Sequence, residues 1–142
     1  MKVRIKKISE VPDPHYAHPG DAGLDLYAAE AVTITPMQVL AVPTGIQMEI
    51  PEGYVGLVWD KSGKALNNQL HCLAGVIDSG YRGEVKVVMV NLGRQSFTFE
   101  KHSKVAQILI QPVSQAKLEL VDTLSITSRQ EGGFGSTGNK KY

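Results

Sequence analysis

The sequence predicts an all-β fold, a sandwich, jelly roll or barrel, and three features point there. Short apolar or alternating runs recur roughly every 8–12 residues, turn-forming residues punctuate them, and helical periodicity is nearly absent. A doubly wound α/β arrangement needs helices between its strands, and this chain offers none of the required length.

The elements follow in order. Val3–Ile8 alternates apolar and basic side chains, the period-two pattern of a strand. PGDAGLDLYAA, Pro19–Ala29, holds a short strand with Asp25 between Leu24 and Leu26. Ala31–Ile34, Gln38–Val42, Gly45–Ile50 and Tyr54–Trp59 are further strand-like runs, separated at Pro36, Pro43–Thr44 and Pro51–Glu52–Gly53. Ser62–Asn67 has room for a turn or two of helix. Leu70–Ile77 and Glu84–Leu92 read as the arms of a hairpin around DSGYRG, and Lys104–Gln111 and Lys117–Val121 complete the strands. There is no internal repeat and no linker before about Thr127, so residues 1–127 read as one β-domain and 128–142 as a glycine-rich mobile arm.

Composition narrows the function classes. A chain of 142 residues with 42% hydrophobic content can bury one real core. The net charge of +1 gives no basic face for nucleic acid. Cys72 is the only cysteine, so no intrachain disulfide can form and a reducing compartment is expected. No apolar run approaches the ~20 residues of a membrane span, and MKVRIKKISE is too polar for a signal peptide. The expectation is a soluble intracellular, cytoplasmic protein without nucleic-acid or membrane partners.

Several segments carry chemistry. In SRQEGGFGSTG, Ser128–Gly138, Arg129 offers a planar fork of donors for phosphate, Phe134 a face for a base, and Ser136 and Thr137 hydroxyl donors. The same composition also describes a plain glycine-rich tail. In GVIDSGYRGEV, Gly75–Val85, Asp78 at the end of an apolar strand is either a turn residue or a general base that orients water. Asp25 faces away from its leucine neighbours, toward solvent or into a site. Lys61, Ser62 and Gly63 form a short group of phosphate-friendly donors before the helical stretch. This is not a P-loop, because Val58 and Ala65 stand where its first Gly and its hydroxyl residue belong. Gln107 in KVAQILI, Lys104–Ile110, is a lone amide among aliphatics, a structural hydrogen-bonder or a ligand contact. Trp59 reads as a core or interface aromatic. The four histidines lack the partners of a zinc site, and no GxSxG elbow or Cys–His signature is present.

Taken together, PGDAGLDLYAA, DKSG, GVIDSGYRGEV, KVAQILI and RQEGGFGSTG, in this order from about Pro19 to Gly138, resemble the homotrimeric dUTPase family. The resemblance implies a distorted β jelly roll assembled as a homotrimer with active sites shared between subunits. It implies hydrolysis of dUTP to dUMP and pyrophosphate with Mg²⁺, which keeps uracil out of DNA and supplies dUMP for thymidylate synthesis. Carried across residue by residue, Asp78 is the base for the water that attacks the α-phosphorus, and Asp25 helps position the water shell of the metal. Lys61, Ser62, Gly63 and Gln107 match phosphate-contacting positions. The backbone of Gly75, Val76 and Ile77, with Lys86, would read the uracil edge, and Tyr81 would pack on the deoxyribose and exclude a 2′-hydroxyl. Arg129, Phe134, Gly135, Ser136 and Thr137 would close over the γ-phosphate and base. A metal carried largely by substrate phosphates needs few protein ligands, which suits a sequence without a dense carboxylate cluster.

Three positions depart from the family pattern: Lys61 stands where Arg is more usual, Lys64 where an apolar residue is, and Gln130 where Gly is. Two rival readings remain. A dCTP deaminase looks for Glu ten residues after the hairpin Asp, and Val88 stands there. A non-catalytic nucleotide- or protein-binding member of the fold would be favoured by loss of Asp78 or the arm, and both are intact.

Overall fold

A computed structural model describes residues 1–131. Its strands are β1 (Arg4–Lys7), β2 (Leu24–Tyr27), β3 (Val32–Ile34), β4 (Val39–Glu49), β5 (Tyr54–Asp60), β6 (Leu70–Leu73), β7 (Val76–Ile77), β8 (Glu84–Asn91), β9 (Phe97–Phe99) and β10 (Lys104–Pro112), with helix α1 (Ser62–Asn68) between β5 and β6. They form two four-stranded sheets, ordered β1-β4-β8-β6 and β2-β10-β5-β7, and a small β3-β9 pair. Every pairing among them is antiparallel. The inner faces of the large sheets share one core. Val42, Ile46, Met48, Val85, Val87 and Met89 come from one side, and Leu26, Val58, Ala106 and Ile108 from the other, with Phe99 and Ile34 closing an end. This is the expected all-β, jelly-roll class of architecture. Among the described residues no helix is long and apolar enough to cross a membrane.

Four local expectations need correction. Gln38–Val42 and Gly45–Ile50 are not two strands but one, β4, and Pro43–Thr44 marks a bulge within it. The β4–β8 register jumps between Pro43↔Lys86 and Gln47↔Glu84. Gly45 sits there with φ +69°, its N–H donating to Glu84 Oε1 at 2.9 Å, and a Cβ would collide with Ser9 and Val11. Leu70–Ile77 is not one strand either. Ala74 (φ +56°) and Gly75 (φ +95°) break it, so β6 lies in one sheet and β7 crosses to the other. Gly75 O accepts Val58 N–H at 2.8 Å, and a Cβ on Gly75 would meet Val58 O at 3.0 Å. Lys117–Val121 forms no strand: residues 113–131 are irregular, with Leu118 and Leu120 exposed. Finally, Phe97–Phe99 is a strand the sequence did not announce, held by pairing with β3 and by packing of Phe99 in the core.

Candidate active site

Asp25 is where the structure departs furthest from a simple strand pattern. All four residues of β2 are buried, so the carboxylate has left water along with its leucine neighbours. A charge there needs partners, and the fold supplies two. Lys61 Nζ donates to Oδ1 at 2.5 Å. Lys104 Nζ lies 2.6 Å from Oδ2, an ion pair by distance that still leaves this oxygen without an aligned hydrogen bond. Burial pushes the Asp25 carboxyl up, and the ammonium groups of Lys104 and Lys61 more than offset it, so the group sits below the usual carboxylate range. The same contact holds Lys104 above its ordinary value.

The central strand β10 carries Gln107 opposite Asp25 on β2 and opposite Trp59 on β5. Gln107 Nε2 donates to Asp60 O at 2.9 Å, which fixes the amide beside Lys61. Gly23 makes room for it, since a Cβ there would collide with the Gln107 side chain. Two open cavities meet at this point. One, of about 410 Å³, is lined by Asp21, Asp25, Trp59, Lys61 and Gln107 among others. The second, of about 450 Å³, is lined by Lys61, Ser62, Gly63, Lys64, Lys104 and Gln107 among others. The expected phosphate-contacting residues Lys61, Ser62, Gly63 and Gln107 therefore do come together, beside Asp25. Trp59 is 57% exposed and lines this region, so it is not a core aromatic in the single chain.

The other expected residues lie elsewhere. Val76, Ile77, Asp78, Tyr81, Glu84 and Lys86 line a separate cavity of about 180 Å³, which shares no wall with the two just described. Asp78 is exposed at the start of the turn closed by Tyr81 N–H on Asp78 O at 3.1 Å. The Tyr81 hydroxyl donates to Glu84 O at 3.0 Å, and Gly83 leaves the space its ring occupies. Lys86 Nζ is 3.6 Å from Glu84 Oε2. Gly75 belongs to the sheet crossing just before this pocket. Arg129 is exposed near the end of the described chain, followed by Gln130 with φ +45°, a conformation that favours the glycine more usual there. Phe134, Gly135, Ser136 and Thr137 lie outside the described residues.

Sequence reasoning missed Lys104 as a site residue, reading it as the start of a core strand. No local signal marks it, because Lys104 gains its role only through the burial of β2 and the pairing of β10 with that strand. Lys64, an unusual residue at its position, is explained by its ammonium lying 4.7 Å from the Phe97 ring centroid.

Comparisons with known proteins give the family of the chain. The family model for dUTPase matches residues 9–138. The chain belongs to the dUTPase family. It is 48% identical to the deoxyuridine 5′-triphosphate nucleotidohydrolase of Alkaliphilus metalliredigens, with 99% of each chain covered. It is 46% identical to that of Clostridium kluyveri, covering 97% of this chain and 99% of the relative. Among solved structures it resembles the dUTPase of Staphylococcus bacteriophage 80alpha with dUpNHpp, at TM-score 0.90 and 29% identity over 96% of this chain and 98% of that one. It also resembles a mutant dUTPase from phage phi11 of S. aureus, described with a structural Mg(II) ion, at TM-score 0.83 and 25% identity over 89% of this chain and 100% of that one. As a dUTPase-family chain, it keeps the lysine-flanked Asp25 and the Asp78 turn in two pockets of one molecule.

Proposed function

We propose that this chain hydrolyses dUTP to dUMP and pyrophosphate in sites assembled from more than one subunit. One observation carries the shared-site part. β7 pairs antiparallel with β5 at Gly56↔Ile77 and Leu57↔Val76, so the chain reaches Asp78 while running away from Lys61. The stretch of β5 between the Lys61 end and the level of Asp78 spans on the order of 15–20 Å at a rise of about 3.3 Å per residue. A general base must lie within roughly 3 Å of its water, and a triphosphate whose α-phosphorus sits beside Asp78 cannot also reach across that gap with its β- and γ-phosphates to Lys61 of the same chain. Two pockets from neighbouring copies can. The exposure of Leu118 (87%), Leu120 (100%), Leu124 (88%) and Ile126 (89%) supports the same reading, since such a segment needs a surface outside its own domain. A homotrimer satisfies both needs.

Within that site each group has a physical task. The backbone of Gly75–Ile77 and Lys86 meets the uracil edge, and the Tyr81 ring, locked by its bond to Glu84 O, packs on the deoxyribose. Asp78 orients a water and takes its proton as the water oxygen bonds to the α-phosphorus. The bond from that phosphorus to the bridging oxygen breaks, and pyrophosphate leaves. Lys61, Ser62, Gly63, Gln107 and the neighbouring Lys104 hold the β- and γ-phosphates and the charge developing on them. Among the described residues, none beyond its chain neighbours and its own helix backbone comes within 4 Å of where a Cβ on Gly63 would be, so no packing there demands glycine, whereas close approach of a phosphate would. Arg129, Ser136 and Thr137 add donors to the γ-phosphate, with Phe134 and Gly135 over the base.

The residues present fit Mg²⁺ carried by the substrate. Among the described residues no three His, Cys, Asp or Glu side chains gather into a cage. Asp25 instead offers one buried carboxylate beside the phosphate pocket, ion-paired to Lys61 and Lys104, the hard oxygen type that accepts from a metal-bound water. When bound, the ion neutralises phosphate charge.

The test is pyrophosphate release with Mg²⁺ from dUTP, dTTP, dCTP and UTP. Turnover of dUTP with weak activity on the other three is expected, because a pocket built around one set of polar edges rejects analogues strongly. Comparable kcat/KM for dUTP and UTP would remove the Tyr81 role, and ammonia from dCTP would overturn the reaction itself.

A further inference from the structure

Asp60 is a partly buried carboxylate at the end of β5 that the proposed reaction does not use. It makes three contacts at once. Its Oδ1 accepts the Cys72 N–H at 2.6 Å, its Oδ2 lies 2.7 Å from His71 Nδ1, and its backbone oxygen accepts Gln107 Nε2 at 2.9 Å. Lys61, Ser62 and Gly63 follow it directly in the chain. We propose that Asp60 is a positioning residue for the phosphate-binding loop, its carboxylate closing the segment 61–71 onto β6 while its carbonyl aims Gln107 into the same site.

The loop has little else to hold it. Helix α1 buries no residue and has no side-chain cap at its start. Its other anchors among the described residues include the Lys64 ammonium over Phe97, the Leu92 N–H on Gln69 O at 2.9 Å, the buried Leu70 where the segment enters β6, and Lys61 itself on Asp25. The last of these is a contact that substrate phosphates would compete for. Asp60 fixes the start of the loop from the wall of the cavity that Lys61 and Gln107 line, with its carboxylate turned to His71 and Cys72. Burial pushes its carboxyl up, but the hydrogen bonds from His71 and Cys72 more than offset this and keep it below the usual range. It therefore accepts as an ionised group, the stronger kind of bond. An Asp–His–Cys grouping could suggest a nucleophile, but the geometry points elsewhere. Cys72 meets Asp60 through its backbone N–H, and burial, with Asp60 beside it, pushes the thiol far up.

This inference rests on the dUTP reading and specifies which part of the site Asp60 serves. The experiment compares Asp60→Ala and Asp60→Asn with the unaltered enzyme, measuring KM and kcat for dUTP, inhibition by inorganic pyrophosphate, inhibition by deoxyuridine, and melting. Asp60→Ala should weaken pyrophosphate binding and raise the KM for dUTP by about tenfold or more. Deoxyuridine, which bears no phosphate, should lose much less than pyrophosphate does, since Asp60 shares a cavity wall with Gly75 and Val76 but its carboxylate bonds toward that stretch only through Cys72. Asp60→Asn keeps an acceptor for Cys72 and should recover much of the loss, to within about threefold. Unchanged pyrophosphate binding in folded Asp60→Ala, or equal loss of pyrophosphate and deoxyuridine, would overturn the proposal. Should Asp60→Ala not fold, His71→Ala, which removes the contact to Asp60 Oδ2, decides: a larger loss of pyrophosphate than of deoxyuridine binding supports the proposal, and equal or no loss overturns it. Failure of the unaltered enzyme on dUTP would instead strike the functional reading beneath it.

Discussion

Asp78→Asn should lower kcat for dUTP by roughly 10²–10⁴-fold, the usual contribution of a general base, with little change in dUTP binding or melting temperature. The side chain is exposed in a turn closed by backbone atoms, through Tyr81 N–H on Asp78 O, so an isosteric amide leaves the turn intact. Lining the Tyr81–Lys86 pocket while staying exposed, it would reach a nucleotide bound there without burying the charge. What the amide loses is the ability to take a proton. Single-turnover kinetics alongside equilibrium binding separate the two effects. Normal turnover would make Asp78 only a turn residue, and loss of binding equal to the loss of rate would assign it to substrate affinity.

Deleting the chain after Thr127 should leave a folded domain with little dUTP hydrolysis. The last described strand ends at Pro112 and the core cluster lies wholly before it, so the deletion leaves that cluster whole. Ser128–Tyr142 contributes only Phe134 and Tyr142 as large apolar side chains. Ordering a glycine-rich segment costs about 1–2 kcal/mol per residue in backbone entropy, so the proposed closure of this arm needs the contacts that Arg129, Phe134 and the hydroxyls make with nucleotide. Arg129→Ala should reproduce most of the deletion's loss, by removing a cation beside the leaving pyrophosphate. Melting and turnover of the truncated protein check this. An unchanged rate would make the segment a passive tail, and a collapsed fold would make it structural.

The all-β class and most strands were legible because alternation and turn residues are local signals. What escaped was decided by tertiary partners. Pro43–Thr44 has turn composition, but the β8 ladder on either side turns it into a bulge. Leu70–Ile77 reads as one apolar run, and only the positive φ of Ala74 and Gly75 reveals the crossing between sheets. Alternation correctly set Asp25 apart from Leu24 and Leu26, yet it could not report that both faces of β2 are covered. Lys104 and Asp60 escaped for a related reason: each matters through a partner far away in sequence. Lys61, Ser62, Gly63 and Gln107 were legible as a set because their side chains suit phosphate, and the structure brings them together. Asp78 and Tyr81 stood out as candidates in the hairpin segment, and the structure adds that they line a different pocket from that set.

That separation is the centre of the functional account, and mixing two impaired variants tests it most directly. Asp78→Asn disables the turn pocket and Asp25→Asn the lysine-flanked one, so each homogeneous assembly should be nearly inactive. Subunits mixed in equal amounts under denaturing conditions and reassembled should recover roughly a quarter of full activity, half times half, if each site takes one pocket from each of two neighbours. Activity no greater than that of the two variants measured apart would contradict sites shared between subunits.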